Sequence, residues 1–185
     1  MTVDLTVGQI DTLDFLWDTT GTALGLHTLH ATIVSDRAET DLSDNELTAE
    51  AEVLAAPLTC PGQLVAEYFT NMALSGDPAL VRCEDAPFAY NWGAGSPDAS
   101  IPADLFSASW TGDFDFDAAT YTFTARADDG VRVWVGDELI IDGWINQAPT
   151  TYTAEVELTA GSHNVVMEYF ENGGGAGAEL DWEID

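Results

Sequence analysis

Two adjacent aspartates, Asp128 and Asp129, lie between two runs of residues that alternate like β-strands. Neighbouring carboxylates repel each other, and this repulsion costs free energy unless a cation neutralises it. Carboxylate oxygens are also ligands that calcium prefers. The pair is therefore a candidate cation site. The alternative is a structural turn, in which Asp128 bonds to the backbone, Asp129 is solvated and Gly130 takes a positive φ.

The surrounding sequence predicts the elements that hold this pair. Nine stretches alternate apolar with polar residues. In the stretch at 151–159, apolar residues share one face, and threonine and glutamate share the other. Such faces are typical of antiparallel sheets that are wetted on one side. With no helical periodicity of useful length, the sequence predicts an all-β fold, an antiparallel β-sandwich or barrel. The nine predicted strands are residues 64–69, 79–83, 106–116, 120–127, 131–136, 138–142, 151–159, 163–171 and 178–184.

An earlier segment precedes a break at residues 54–63, where two prolines and a glycine interrupt the strand patterns. Four alternating runs come before this break, whereas an immunoglobulin-like sandwich needs about seven strands. The Trp-containing strand and the acidic loop of this segment resemble the C-terminal half of adhesion-related immunoglobulin-like domains of bacterial surface proteins. The incomplete domain predicts that the chain belongs to a larger multidomain protein. The four runs are residues 3–7, 12–17, 27–34 and 46–54.

The composition is strongly acidic. The chain of 185 residues has 33 aspartates and glutamates against four arginines, which gives a formal net charge of −29. Such a field repels phosphate, so we expect no nucleic-acid partner and no anionic membrane partner. No apolar run is long enough to predict a transmembrane segment. The acidity serves either solvation or the attraction of divalent cations.

The motifs of nucleophilic and metal-dependent hydrolases are absent from the sequence. There is no Ser–His–Asp order and no H-E-x-x-H motif. Adjacent aspartates also differ from the carboxylates of glycosidases, which face each other across a cleft. We therefore predict that the chain is not an enzyme. Cys60 and Cys83 are the only cysteines and could form a disulfide in an oxidising compartment, a pairing that their spacing leaves open.

The second segment resembles the protective-antigen-type domain, a β-sandwich module of bacterial toxins, glycosidases, surface adhesins and yeast flocculins. The matching stretches occur in family order: "LVAEYFTNMALSGDPALVR", "YNWGAGSPDASIPADLFSASWTGDF", "YTFTARADDGVRVWVGDELIIDGW" and "LTAGSHNVVMEYFENGGGAGAELDW". The predicted organisation is therefore a partial immunoglobulin-like segment at 1–54, a linker at 55–61 and a protective-antigen-type β-sandwich at 62–185.

The resemblance implies a calcium site. In lectin members of the family, a cis peptide joins the aspartate pair, which binds one Ca²⁺ that in turn coordinates two vicinal sugar hydroxyls. Asp128 and Asp129 match that pair. The second ligand loop of the family matches "ENGGGAGAE", in which Asn172 is the candidate amide ligand. The resemblance thus implies metal ligands at Asp128, Asp129 and Asn172, with Ca²⁺ as cofactor.

Further residues are candidates for contact with the sugar itself. Gly173 and Gly174 let the backbone approach a ligand closely. Trp144, together with Tyr90 and Trp92, is a candidate to pack on the C–H face of a sugar. We predict a non-catalytic carbohydrate-binding and adhesion module of a secreted or cell-surface protein, with glycans as partners. The alternatives are a structural or protein-interaction module without a ligand, and an accessory domain of a glycosidase.

Overall fold

A computed structural model describes residues 16–32, 43 and 46–185. The chain divides into two units, Met1–Pro57 and Leu58–Asp185. Across the described residues the regular elements are β-strands, and none of the described chain forms a helix suited to crossing a membrane.

The first unit contains a two-stranded antiparallel sheet. Strand β1 spans Gly25–Thr32 and pairs with β2, Glu46–Val53. These strands correspond to the predicted runs at 27–34 and 46–54. The run at 3–7 lies outside the described residues, as does most of 12–17. Two strands do not establish an immunoglobulin-like segment, which stays a prediction.

The second unit contains ten strands, and all nine predicted there are present. The tenth, β5, was missed although Phe88, Tyr90 and Trp92 alternate within it and all contact the core. The predicted face of residues 151–159 is also confirmed, since Tyr152 to Leu158 alternate between less and more exposed positions. The ten strands are β3 Leu64–Phe69, β4 Leu80–Glu84, β5 Phe88–Gly93, β6 Phe106–Phe116, β7 Ala119–Asp128, β8 Gly130–Val135, β9 Glu138–Gly143, β10 Thr150–Leu158, β11 Gly161–Glu171 and β12 Ala176–Ile184.

The strands form two antiparallel sheets that enclose one core. The order in the four-stranded sheet is β10-β7-β12-β5, and in the six-stranded sheet β4-β3-β6-β11-β8-β9. Side chains of both sheets meet between them, and Trp110 of one sheet packs on Phe88 of the other with ring centroids 4.8 Å apart. The antiparallel all-β sandwich predicted from strand alternation is therefore confirmed.

A disulfide and a buried carboxylate stabilise the start of this sandwich. Cys60 and Cys83 are joined by a disulfide, with their Cα atoms 5.5 Å apart. The neighbouring Glu84 is buried, and its oxygens accept hydrogen bonds from the Tyr68 hydroxyl at 2.8 Å and from Trp110 Nε1 at 2.7 Å. The guanidinium of Arg82 pairs with the same carboxylate. Glu84 thus has the partners that a buried charge requires.

Candidate metal site between the two sheets

Two connections cross side by side from one sheet to the other. Strand β7 ends at Asp128 in the four-stranded sheet, and β8 begins at Gly130 in the six-stranded sheet. Strands β11 and β12 make the second crossing, between Glu171 and Ala176. Because β8 pairs with β11 and β7 pairs with β12, the two crossings are adjacent. The aspartate pair and the glycine-rich loop therefore meet at one edge of the sandwich.

Asp129 is held by backbone amides of two other connections, one between β9 and β10 and one between β11 and β12. Its Oδ1 accepts a hydrogen bond from the Gln147 amide at 2.9 Å, and its Oδ2 accepts one from the Asn172 amide at 2.8 Å. The side chain is buried, so the solvated aspartate of the turn alternative is contradicted. Gly130 also differs from that alternative, since it is not among the glycines with positive φ. The peptide bond between Asp128 and Asp129 is cis, as in the lectin members that the sequence resembles.

Glu171 is a third carboxylate at this position, outside the site residues predicted from the sequence. The residue is fully buried, and its Oε1 has no hydrogen-bond partner. The Tyr169 hydroxyl lies 3.1 Å from Glu171 Oε2 but only 2.5 Å from the Asp128 carbonyl oxygen. A tyrosine hydroxyl has a single proton, so the nearer carbonyl leaves little of it for the carboxylate. In contrast to Glu84, Glu171 therefore has only weak compensation for its burial.

One oxygen from each of Asp128, Asp129 and Glu171 lies within 4.8 Å of the others. The pKa of Glu171 is raised to about 7, chiefly by burial and to a lesser extent by the charges of the two aspartates, while the Tyr169 hydroxyl and the Gly173 amide act against this shift. The Gly173 amide nonetheless makes no hydrogen bond to Oε1. Burial also raises the pKa of Asp128, as does the charge of Asp129. Ionisation of Glu171 and of Asp128 is therefore less favourable in the folded chain than in water.

The spacing of the three carboxylates fits a single cation. Oxygens that bind one Ca²⁺ at about 2.3–2.6 Å lie up to about 5 Å apart. The three oxygens here satisfy that limit. The unpartnered oxygen of Glu171 is the kind of buried polar atom that an ion would satisfy. The donor set is all oxygen, which suits Ca²⁺ or Mg²⁺ rather than a thiolate-binding metal.

The glycine-rich loop lies against this cluster. A Cβ added to Gly175 would be 3.3 Å from Asp128 Oδ2, so the loop backbone passes directly beside that carboxylate. Gly174 has a φ of 108° and its amide donates to Asp104 Oδ1 at 3.2 Å. Asn172 is exposed, and its backbone amide, not its side-chain amide, donates a hydrogen bond to Asp129. The structure thus brings the predicted loop residues to the aspartate pair.

The predicted aromatic residues lie differently. Trp144 packs edge-on against Phe170, with ring centroids 4.8 Å apart, and the guanidinium of Arg132 covers its ring at 4.5 Å. Tyr90 and Trp92 stack on each other at 5.5 Å, and both contact the aromatic core. All three side chains therefore pack against other parts of the protein.

Two exposed apolar side chains lie on loops connected to the site. Leu105 is 54% exposed and follows Asp104, which holds the Gly174 amide. Ile145 is 60% exposed and lies two residues before Gln147, which holds Asp129. No strand periodicity marks these positions, and only the hydrogen bonds of the folded chain connect them to the carboxylates. A groove of about 480 Å³ lies near Cys60 and Asn164, at the opposite end of β11 from Glu171.

A model of the PA14 domain family matches residues 60–185, more than half of the chain. The chain belongs to the PA14 domain family. This match confirms the protective-antigen-type resemblance of the second segment. It does not extend to the first segment, so the immunoglobulin-like resemblance is not confirmed.

Relatives of this PA14 domain include anti-sigma factors. Anti-sigma-I factor RsgI3 of Acetivibrio thermocellus is 40% identical over 118 residues, which are 63% of this chain and 18% of that protein. A solved anti-sigma factor domain-containing protein is 39% identical with a TM-score of 0.62, covering 66% of this chain and 43% of its own. Another, from Clostridium clariflavum, is 28% identical with a TM-score of 0.60, covering 78% of this chain and 53% of its own. The chain therefore spans about half or less of the length of these relatives.

The fold also occurs in a more distant protein. The PA14 domain of the antifreeze protein MpAFP is 20% identical with a TM-score of 0.56, over 73% of this chain and 88% of its own. At this identity the likeness shows the fold alone.

Proposed function

We propose that this PA14 domain is a non-catalytic carbohydrate-binding and adhesion module of a secreted or cell-surface protein, and that it binds sugar hydroxyls through Ca²⁺ held by Asp128 and Asp129. The observation that carries the proposal is the three-carboxylate cluster at the sheet crossings, which includes a buried oxygen without a partner. A cluster of this kind is costly without a cation, because each charge opposes the others.

Asp129, Asp128 and Asn172 have different roles in the proposed binding. Asp129 is held by two amides and fixes the position of the pair relative to the glycine-rich loop. Asp128 is less buried and presents its carboxylate beside Gly175. The exposed Asn172 side chain extends the donor set on the solvent side. A bound Ca²⁺ would supply coordination positions that neutral sugar hydroxyls can fill.

The rim of the site suits a sugar, whose C–H faces are apolar. Leu105 and Ile145 expose apolar surface on loops that are bonded to the site. The net charge of −29 makes a phosphorylated or otherwise anionic ligand a poor candidate, whereas a neutral glycan has no such conflict. The larger size of the relatives supports a place within a longer multidomain chain.

Calorimetric titration with Ca²⁺, followed by a glycan array with and without chelator, tests the proposal. We expect the wild type to bind one Ca²⁺, and we expect Asp128→Asn to weaken this binding by at least ~10-fold because a charged ligand is lost. Glycan binding should disappear with chelator and in the variant. The matched control is Asp115→Asn, which removes the same charge from an exposed position on β6. Equal glycan binding by wild type and Asp128→Asn would contradict the metal mechanism.

A second candidate function is a structural or protein-interaction module without a ligand. The observation that favours it is that both oxygens of Asp129 already accept backbone hydrogen bonds, which is a bracing role that needs no ion. This candidate predicts that Ca²⁺ does not raise the thermal midpoint when the ionic strength is kept constant.

A further inference from the structure

The inner side of the proposed Ca²⁺ site is formed by a residue outside the family's ligand pattern described above. Glu171 is the last residue of β11, and its side chain belongs to the inward column that includes Val165, Met167 and Tyr169. The column is otherwise apolar or aromatic. An acid at its end is therefore placed beneath the crossings, on the core side of the aspartate pair.

Among the described residues, no arginine forms an ion pair with Glu171. In this part of the chain the ion pairs of arginine join Arg82 to Glu84, and Arg132 to Asp142 and Glu168. A buried carboxylate without a paired charge is strongly unfavourable. Glu84 shows what this sandwich provides when a buried carboxylate is purely structural: a tyrosine, a tryptophan and an arginine. Glu171 instead accepts a hydrogen bond from a tyrosine hydroxyl that it shares with the Asp128 carbonyl, and it has no arginine partner among the described residues.

The position of the orphaned oxygen distinguishes a ligand from a packing residue. Glu171 contributes an oxygen to the same 4.8 Å cluster as Asp128 and Asp129. Its Oε1 is buried and unpartnered, whereas both oxygens of Asp129 are already hydrogen-bonded. An acidic cluster alone would carry no inference, but a fully buried side chain with an unsatisfied oxygen in that cluster is a second, independent observation.

We propose that Glu171 is an inner-sphere ligand of a divalent cation, completing a three-carboxylate site with Asp128 and Asp129. This inference rests on the proposed function and deepens it. Glu171 binds from the core side, so the exposed side of the ion stays open between Asn172 and the loop glycines. Three carboxylates carry a larger negative charge than the ion's positive charge, and a higher ligand charge raises Ca²⁺ affinity.

Ca²⁺ titration of the full chain with Glu171→Gln tests the inference. The substitution keeps size and removes the charge, so we expect Ca²⁺ affinity to fall by at least ~10-fold. Glu155→Gln is the matched control, because it makes the same chemical change at an exposed position on β10. The variant's thermal midpoint in chelator, which should equal or exceed that of the wild type, shows that it is folded.

A second variant and a crystal structure distinguish loss of a ligand from a folding defect. Glu171→Asp keeps the charge but withdraws the carboxylate by one methylene, and we expect it also to weaken Ca²⁺ binding. A crystal structure with Ca²⁺ should place a Glu171 oxygen about 2.3–2.6 Å from the ion. Wild-type affinity in Glu171→Gln, or an ion beyond reach of Glu171, would overturn this inference and leave the proposed function intact. Absence of Ca²⁺ binding by the wild type would overturn both.

Discussion

Asp128, Asp129 and Glu171 bear one type of functional group in three different environments. Asp129 is fixed by two amides, Asp128 is partly exposed beside Gly175, and Glu171 is buried with an unsatisfied oxygen. These differences give each carboxylate its own role: bracing of the loops for Asp129, presentation at the surface for Asp128, and charge from the core side for Glu171.

The burial of Glu171 predicts a pH-dependent stability in the absence of divalent cations. Its pKa is raised from 4.5 to about 7 in the folded state, first by burial. Between these values the folded state binds more protons than the unfolded state, so the free energy of unfolding falls as pH rises through this window. Glutamine resembles the protonated acid. As pH rises from 4.5 to 8, the free energy of unfolding of Glu171→Gln should therefore increase by about 2–3 kcal/mol relative to that of the wild type.

Chemical denaturation in chelator across this pH range checks the expectation. Glu155→Gln should follow the wild type, since it changes an exposed glutamate. With saturating Ca²⁺ the advantage of Glu171→Gln should shrink or reverse. A pH-independent difference between the wild type and Glu171→Gln would contradict the prediction.

The strands and their connections determine how closely the two halves of the site approach. Gly130 begins β8 directly after the aspartate pair, and a Cβ at this position would overlap the Phe170 ring. Phe170 pairs with Gly130 across the β8–β11 ladder and immediately precedes Glu171. Glycine is therefore needed here so that the two crossings can approach closely, and not because the backbone has an unusual φ.

Gly130→Ala should consequently destabilise the domain by about 1–3 kcal/mol, as overpacked substitutions do. Ca²⁺ binding should weaken as well, because the added methyl group displaces the strand that positions Asp129. Gly173→Ala is the control for stability alone, since its added Cβ would meet nothing closer than Asp104 Oδ1 at 3.9 Å. Equilibrium denaturation measures both variants. Phe170→Leu should recover part of the loss in the Gly130→Ala background, and unchanged stability of Gly130→Ala would contradict the steric argument.

The whole molecule carries a charge that its few arginines cannot balance. With a formal net charge of −29, the folded chain is destabilised by self-repulsion, which salt screens. In chelator, the thermal midpoint should therefore rise as NaCl increases from about 10 mM to about 0.5 M. A midpoint that falls over this range would contradict the expectation.

The same measurement separates general screening from a specific site. At constant ionic strength, Ca²⁺ should raise the thermal midpoint of the wild type further, since a ligand that binds only the folded state stabilises it. Asp128→Asn should retain the response to NaCl and lose the additional response to Ca²⁺.

Local patterns in the sequence were sufficient for the strands and the fold class. Side-chain alternation is a property of each strand by itself, so β6 and the exposed and buried faces of β10 follow from their own residues. The adjacency of Asp128 and Asp129 is likewise visible without a structure. Strand β5 is an exception, because the alternation of Phe88, Tyr90 and Trp92 was not interpreted as a strand, and Tyr90 and Trp92, the candidate sugar contacts, are partly buried and pack against the core.

The tertiary structure alone decided which residues join the aspartate pair. Asp129 and Asn172 are 43 residues apart and meet because β8 pairs with β11 while β7 pairs with β12. Period-two alternation from Val165 does place Glu171 on the inward face, but only the fold shows that this face ends at two other carboxylates. Strand pairing between distant segments sets such distances, and no local pattern encodes them.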